Sequence, residues 1–160
     1  MGILTEEMQR VADAELGFIA TVCPDGTPNL SPKGTITAWD DDHLVFADIR
    51  SPGTIANLRT NPSIEVNVVD QLVRKGYRFK GSAEIHTEGE VFERGVRFYE
   101  ARSVVVTRER IRGIVIIAVD RALPVTSPLY DIGSTEEELR ERFLEIFTSR
   151  AAAAREQRDG

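Results

Sequence analysis

"FADIRSPGTIANLRTNP", Phe46 to Pro62, changes its period halfway along. Phe46-Ala47-Asp48-Ile49 has the composition of a strand, whereas Ile55 and Leu58 carry a helical spacing that stops at Asn61-Pro62. Ser51 suits an N-cap, and Pro52 suits the first helical position, where its missing N–H removes no hydrogen bond. The chain therefore runs strand, sharp corner, helix start, with Arg50 at the bend. A helix start presents free N–H groups and the positive end of a dipole, so this corner is either an ordinary cap or a place for an anion.

Upstream of the corner the period is that of strands. "GFIATV" (17–22) leads into the turn "CPDGTPN", with Pro24, Asp25 and Gly26 where a turn needs them. "LSPKGTITAW" (30–39) reads as a second strand interrupted by Pro32 and Gly34, "DDD" (40–42) as a polar turn, and "HLVFADI" (43–49) as the third strand. Two successive hairpins predict an antiparallel meander. Downstream, "SIEVNVVD" (63–70) alternates cleanly, and "GYRFKGSAEIHT" (76–87) makes a long strand. Residues 88–101 form a helix with Phe92, Val96 and Tyr99 on one face and Glu90–Arg94 and Glu93–Arg97 pairs on its surface. "GIVIIAVD" (113–120) is apolar enough to be buried on both faces.

Helices flank this core. Thr5 is a plausible N-cap for a short amphipathic helix with Met8, Val11 and Ala12 on one face. A last helix from Thr135 to about residue 150 opens with a Thr135/Glu138 capping box, shows Leu139, Phe143, Ile146 and Phe147 along one side, and gives way to a polar tail. Six strands in hairpin order with inserted helices predict a mainly β, α+β domain over residues 1–160. Its economical form is a six-stranded antiparallel barrel, because closure removes sheet edges, with an open α+β sheet as the alternative.

Composition narrows the function. With 160 residues and 41% apolar content the chain builds one real core. A net charge of −6 argues against a nucleic-acid binder acting through overall basic charge. The lone Cys23 suits a reducing cytoplasm, and Thr5-Glu6-Glu7 interrupts any signal-like apolar run, so a cytoplasmic protein is expected. Two histidines and one cysteine lie too far apart for a zinc pattern, so no metal is expected. No nucleophile elbow, P-loop or dinucleotide-binding glycine motif is present. Cys23 reads as a structural thiol, and Asp40 to Asp42 as a solvated turn.

The basic residues stand out against this acidic background. Arg74, Lys75, Arg78 and Lys80 fall within seven residues, bracketed by Gly76 and Gly81, with Lys33 in the broken second strand and Arg50 at the corner. Closure of a barrel would bring several of them around the helix start at Ser51. Pro32 and Gly34 would also leave backbone groups of the second strand unpaired beside it.

"FIATVCPDGTPNLSPKGT", "LVFADIRSPGTIANLRTNPSIEVNVV" and "YRFKGSAEIHT" together resemble the pyridoxamine 5′-phosphate oxidase-like, FMN-binding split-barrel family. The resemblance runs from about Leu16 to Thr87 and continues more weakly through 113–120. It implies a six-stranded split barrel and a homodimer with two FMN molecules in clefts at the subunit interface. By position, Ser31, Lys33, Gly34 and Thr35 would line the ring and ribityl chain. Ser51, Gly53, Thr54 and Asn57 would serve the phosphate end and ribityl hydroxyls, and Lys75 and Arg78 would add charge, from the same or the other subunit.

The departures from that family pattern are informative. An arginine of the true pyridoxamine phosphate oxidases is replaced by Ser31, their basic pair by Pro52-Gly53, and their C-terminal substrate segment has no counterpart here. Oxidation of vitamin B6 is therefore not expected. The resemblance implies instead an FMN-dependent oxidoreductase that passes hydride or electrons to an unidentified acceptor, with no catalytic acid or base named. The alternatives are a reductase of the same fold that uses the deazaflavin F420, with Arg108, Arg110 and Arg112 for its acidic tail, a non-enzymatic flavin carrier or sensor, and a structural dimer without a cofactor in which the basic strand is merely solvated.

Overall fold

A computed structural model describes residues 2–159. Seven strands form a single antiparallel sheet: β1 (Gly17–Val22), β2 (Pro28–Lys33), β3 (Thr37–Ala38), β4 (His43–Asp48), β5 (Ser63–Asp70), β6 (Lys75–His86) and β7 (Gly113–Thr126), in the spatial order β2-β1-β5-β6-β7-β4-β3. Four helices accompany them: α1 (Glu6–Ala14), α2 (Pro52–Thr60), α3 (Gly89–Glu100) and α4 (Glu136–Asp159).

The strand order carries its own geometric consequence. β2 and β3 occupy opposite edges of the sheet, yet only Gly34, Thr35 and Ile36 connect them. Laid flat, the outer strands of a seven-stranded sheet stand about 29 Å apart. The four links from Lys33 to Thr37 reach at most about 14 Å. The sheet must therefore curl until its edges meet, and because β2 and β3 exchange no ladder bonds, the barrel is left with a seam.

The expected meander is corrected in two respects. β1–β2 and β3–β4 are hairpins, but the predicted strand 30–39 breaks at Gly34, and β4 pairs with β7 rather than with its sequence neighbour β5. Seven strands replace six because the break yields two short strands. The break lies two residues beyond Pro32, which is tolerated on an edge strand whose nitrogen faces outward.

Closure buries two apolar clusters. Inside the barrel, Ile19, Leu44, Phe46, Val66, Val68, Phe79, Val115 and Ile117 are fully enclosed, and α1 closes one end with Ala12, Met8 and Val11. Outside, α3 lays Phe92, Val96 and Tyr99 over Val45, Ala47 and Ile114. β4 is thus buried on both faces, whereas β7, expected to be so over 113–120, is enclosed on both only to Ile117 and alternates beyond it, with Ala118 and Asp120 exposed. Each enclosed phenylalanine is worth about 1.5–3 kcal/mol in transfer from water. The long β6–β7 ladder bends at a bulge between Lys80 and Gly81, and strand crowding explains both glycines of the basic segment. A Cβ at Gly76 would lie 1.9 Å from the Val68 carbonyl oxygen, and one at Gly81 would lie 2.0 Å from that of Ala118.

Local signals behaved largely as their chemistry dictates. Met8 N–H donates to the Thr5 hydroxyl at 3.3 Å, and Thr135 and Glu138 form the reciprocal capping box at 2.8 and 3.2 Å. The predicted α3 surface pairs are replaced: Glu93 binds Arg108 through two bonds of 2.6 Å, and Arg94 lies 4.4 Å from the Trp39 ring centroid. The α4 helix runs to Asp159 instead of ending near 150, in keeping with the high helix propensity of Ala151 to Ala154.

The β2–β3 connection is pinned from two sides. Thr35 Oγ1 lies 3.2 Å from both the backbone N–H and carbonyl of Ala47, and the Tyr99 hydroxyl donates to the Thr35 carbonyl at 2.7 Å. Burial holds the Tyr99 hydroxyl far above its usual pKa, so it stays a neutral donor. Tyr99→Phe leaves that carbonyl without its side-chain donor, and urea unfolding should register a loss of about 1–3 kcal/mol. A loss below about 0.3 kcal/mol would show that the connection does not depend on this bond.

Candidate functional site

The seam of the barrel gathers the unusual side chains. β2 turns Asn29, Ser31 and Lys33 to the interior side, while Leu30 and Pro32 face out. Lys33 is only 6% exposed, and its ammonium donates to the Ser31 hydroxyl and, at 3.4 Å, to the Pro32 carbonyl. It lies 5.9 Å from the Phe46 ring. Among the described residues no carboxylate pairs with it, since every ion pair of the chain involves other groups. Burial holds the Lys33 pKa below the usual lysine value, and the negative charge of Asp48 partly restores it.

Asp48 joins this lysine to the helix corner. It is 7% exposed at the end of β4, and its carboxylate accepts from Ser51 N–H at 3.0 Å. Ser51 precedes α2, but its own side chain makes no capping bond. The ordinary-cap reading of the corner therefore holds for Pro52 and not for the Ser51 hydroxyl. Gly53 is open, with nothing within 4 Å of where a Cβ would stand. The helix start and the buried ammonium both present positive charge, and the Asp48 carboxylate links them, binding Ser51 N–H while its charge acts on Lys33.

Thr54 and Asn57 point elsewhere. They are 2% and 5% exposed, and they hold α2 against the first hairpin: Asn57 Nδ2 donates to Thr21 Oγ1 at 3.0 Å, and Asn29 Nδ2 reaches Thr21 and Thr54 at 3.2 and 3.5 Å. Asn57 also lies 3.5 Å from Cys23 Sγ, a structural setting for that thiol. Thr35 is likewise committed to Ala47. Of the ten residues selected by sequence, Ser31, Lys33, Gly34, Thr35, Ser51 and Gly53 border the seam and the corner, and Thr54 and Asn57 support them from beneath.

The remaining basic residues do not converge on the seam within one subunit, which corrects the expectation from barrel closure. Arg74 stacks on Phe143 at 4.0 Å, and Lys75 binds Glu136 at 2.7 Å. Arg78 and Lys80 pair with Glu65 at 3.0 and 3.5 Å, on the outer face opposite the buried Phe79. Strand alternation decides this: Arg78 and Lys80 share parity, and Phe79 between them points inward. Of the three arginines considered for an acidic tail, Arg108 is taken by Glu93 and Arg110 donates to the Val105 carbonyl at 2.9 Å. Arg112 remains, and its backbone N–H binds the Asp48 carbonyl at 2.8 Å.

Asp48 is the residue that sequence reading missed. Its signal was its position at a strand end, three residues before an N-cap. The Asp40–Asp42 turn is structural: Asp40 accepts from His43 at 2.7 Å, and Asp42 and Asp41 tie down Ile3 and Gln9 at 2.9 and 3.0 Å. Among the described residues, no group of three potential ligands is placed to hold a metal ion.

Lys33 gives a pH signature. Its folded pKa lies below the unfolded value, so the unfolded chain keeps this proton longer. The contribution of Lys33 to stability then rises as pH climbs from its depressed pKa towards 10.5. Urea unfolding of wild type and Lys33→Met across the alkaline range should show the difference moving in favour of wild type with rising pH. A difference that is constant with pH would refute a desolvated ammonium at this position.

Comparison with known proteins agrees with this architecture. The family model described as pyridoxamine 5′-phosphate oxidase matches residues 4–122. An uncharacterized protein of Methanocaldococcus jannaschii is 34% identical over 89 residues, 54% of this chain and 59% of that relative, so the chain spans less than two thirds of its length. Group A Streptococcus HupZ is 32% identical with a TM-score of 0.69, the match covering 77% of this chain and 94% of HupZ. An FMN-binding protein from Syntrophomonas wolfei shares the fold at 18% identity and a TM-score of 0.66, over 78% of this chain and 87% of that one. Strand order, seam and sequence agree, and the chain belongs to the pyridoxamine 5′-phosphate oxidase-like split-barrel family.

Proposed function

We propose that this protein binds FMN along the seam and works as a flavin-dependent oxidoreductase. The observation that carries the reading is Lys33, a buried ammonium whose hydrogen bonds among the described residues go to neutral oxygens and which Asp48 links to an uncapped helix start. A cationic group so placed is stabilised by an incoming anion, and FMN offers both a phosphate and a ring that becomes anionic on reduction. The donor set fits: Ser51, Gly53 and the first N–H groups of α2 suit the phosphate, and the unpaired edge of β2 suits the polar edge of the ring. Bound FMN would supply hydride or single-electron transfer. The protein's own part is to orient the ring on β2, exclude water through Phe46 and hold a proton on Lys33 beside the ring.

Family membership and the Syntrophomonas protein, named for FMN binding, support the cofactor class. Support for a homodimer comes from the basic strand. Arg78 lies on the face opposite Lys33, so it reaches a seam only if that seam belongs to a second copy. The exposed Phe18 and Leu30 on the same outer side give such a contact an apolar element. A reducing, cytoplasmic setting fits the single Cys23. No described helix is long and apolar enough to cross a membrane.

Titration with FMN, followed by flavin fluorescence, tests the reading, with F420 as competitor and sedimentation giving the subunit number. We expect saturable FMN binding by the wild type, weakened at least tenfold by Lys33→Met, equivalent to about 1.4 kcal/mol. Turnover with NADH or NADPH would mark an enzyme, and binding without turnover a carrier. Absence of FMN binding, or preference for F420, would overturn the cofactor assignment.

A further inference from the structure

A second concavity lies away from the seam and shares no residue with Ser31, Lys33, Asp48 or Ser51. It is a cavity of about 470 Å³ between α1, the β5–β6 turn, the end of β7 and the first turns of α4. The family match covers residues 4–122, so Thr126 and the α4 wall formed by Glu136 and Arg140 lie outside it. The wall is fastened deliberately: Lys75 binds Glu136 at 2.7 Å, Arg140 binds Asp70 at 3.4 Å, the Tyr130 hydroxyl donates to the Val73 carbonyl at 2.5 Å, and Leu139 is 2% exposed.

The lining is apolar in part, with Val11, Val73 and Val125, and its charges are unevenly matched. Four carboxylates, Glu7, Glu15, Asp70 and Glu136, face three cations, Arg10, Lys75 and Arg140. Lys75 and Arg140 are already held by Glu136 and Asp70. Glu15 is half-buried and has no ion-pair partner among the described residues. Its carboxyl is held above the ordinary carboxylate range, first by burial and then by the negative charge of Asp70, with Arg140 opposing. A partly desolvated carboxylate that lines a cavity without a cation of its own is relieved by a bound positive charge. A cavity of this size, apolar on one side and polar at a few points, has the dimensions of a small-molecule site.

We propose that this cavity binds a small organic cation, a primary amine with an apolar body, whose ammonium pairs with Glu15 and whose body lies against Val11, Val73 and Val125. The site is separate from flavin binding and stands or falls without it. Calorimetric titration of the full chain at neutral pH with benzylamine, benzyl alcohol and benzoate tests it. Benzylamine should bind at least tenfold more tightly than either of the others. Glu15→Gln should weaken it about tenfold, and Ala14→Trp, which fills the cavity from an exposed position on α1, should abolish it. Melting curves of both variants confirm that they fold, and unchanged FMN titration in both separates this site from the seam. Equal binding of benzyl alcohol, no binding of benzylamine, or full affinity in folded Glu15→Gln and Ala14→Trp would overturn the proposal.

Discussion

The three residues between β2 and β3 are the constraint on which the molecule depends. They join opposite edges of one sheet, so the sheet closes, and closure creates both the interior core and the seam. Thr35 and Tyr99 hold the connection in place from β4 and α3, which links the outer apolar cluster to the geometry of the opening. α1 then covers the short edge of β3, where Asp13 accepts from the Thr37 hydroxyl and from the Ala38 N–H at 2.9 Å. A fold closed on itself in this way leaves one line of unpaired backbone, and the buried lysine lies beside it.

Electrostatics at the seam work by incompleteness. A desolvated ammonium is costly unless something compensates it, and here compensation comes from a hydroxyl, a carbonyl and the more distant charge of Asp48. Asp48 in turn spends its carboxylate on Ser51 N–H, which fixes the corner without filling it. The buried polar cluster of Thr21, Asn29, Thr54 and Asn57 has the opposite character. Its members satisfy one another, and they anchor α2 so that the helix start keeps its position.

Much of the fold was legible in residue periodicity. The bounds of β5 and the caps of α1 and α4 follow from alternation and from hydroxyl or carboxylate side chains next to free N–H groups. The site was legible in part. Lys33 and Ser51 could be selected because glycine, proline and basic residues interrupt regular patterns there, and Ser31 through the family resemblance. Arg74, Lys75, Arg78 and Lys80 were over-read: proximity in sequence suggested convergence, whereas strand parity and nearby carboxylates disperse them. Asp48 was invisible because an acidic residue at a strand end is ordinary until its neighbours in space are known.

Residue pattern was enough for most of the elements and for the family resemblance, because hydrogen bonding and hydrophobic period act over a few residues and leave a local record. Spatial packing was needed to establish that β4 pairs with β7, that Lys33 is enclosed with no ion-pair partner among the described residues, and that α4 walls a cavity lined by Glu15. Those facts depend on contacts between residues tens of positions apart. Their energies are set by desolvation and by distances in space, which no local pattern encodes.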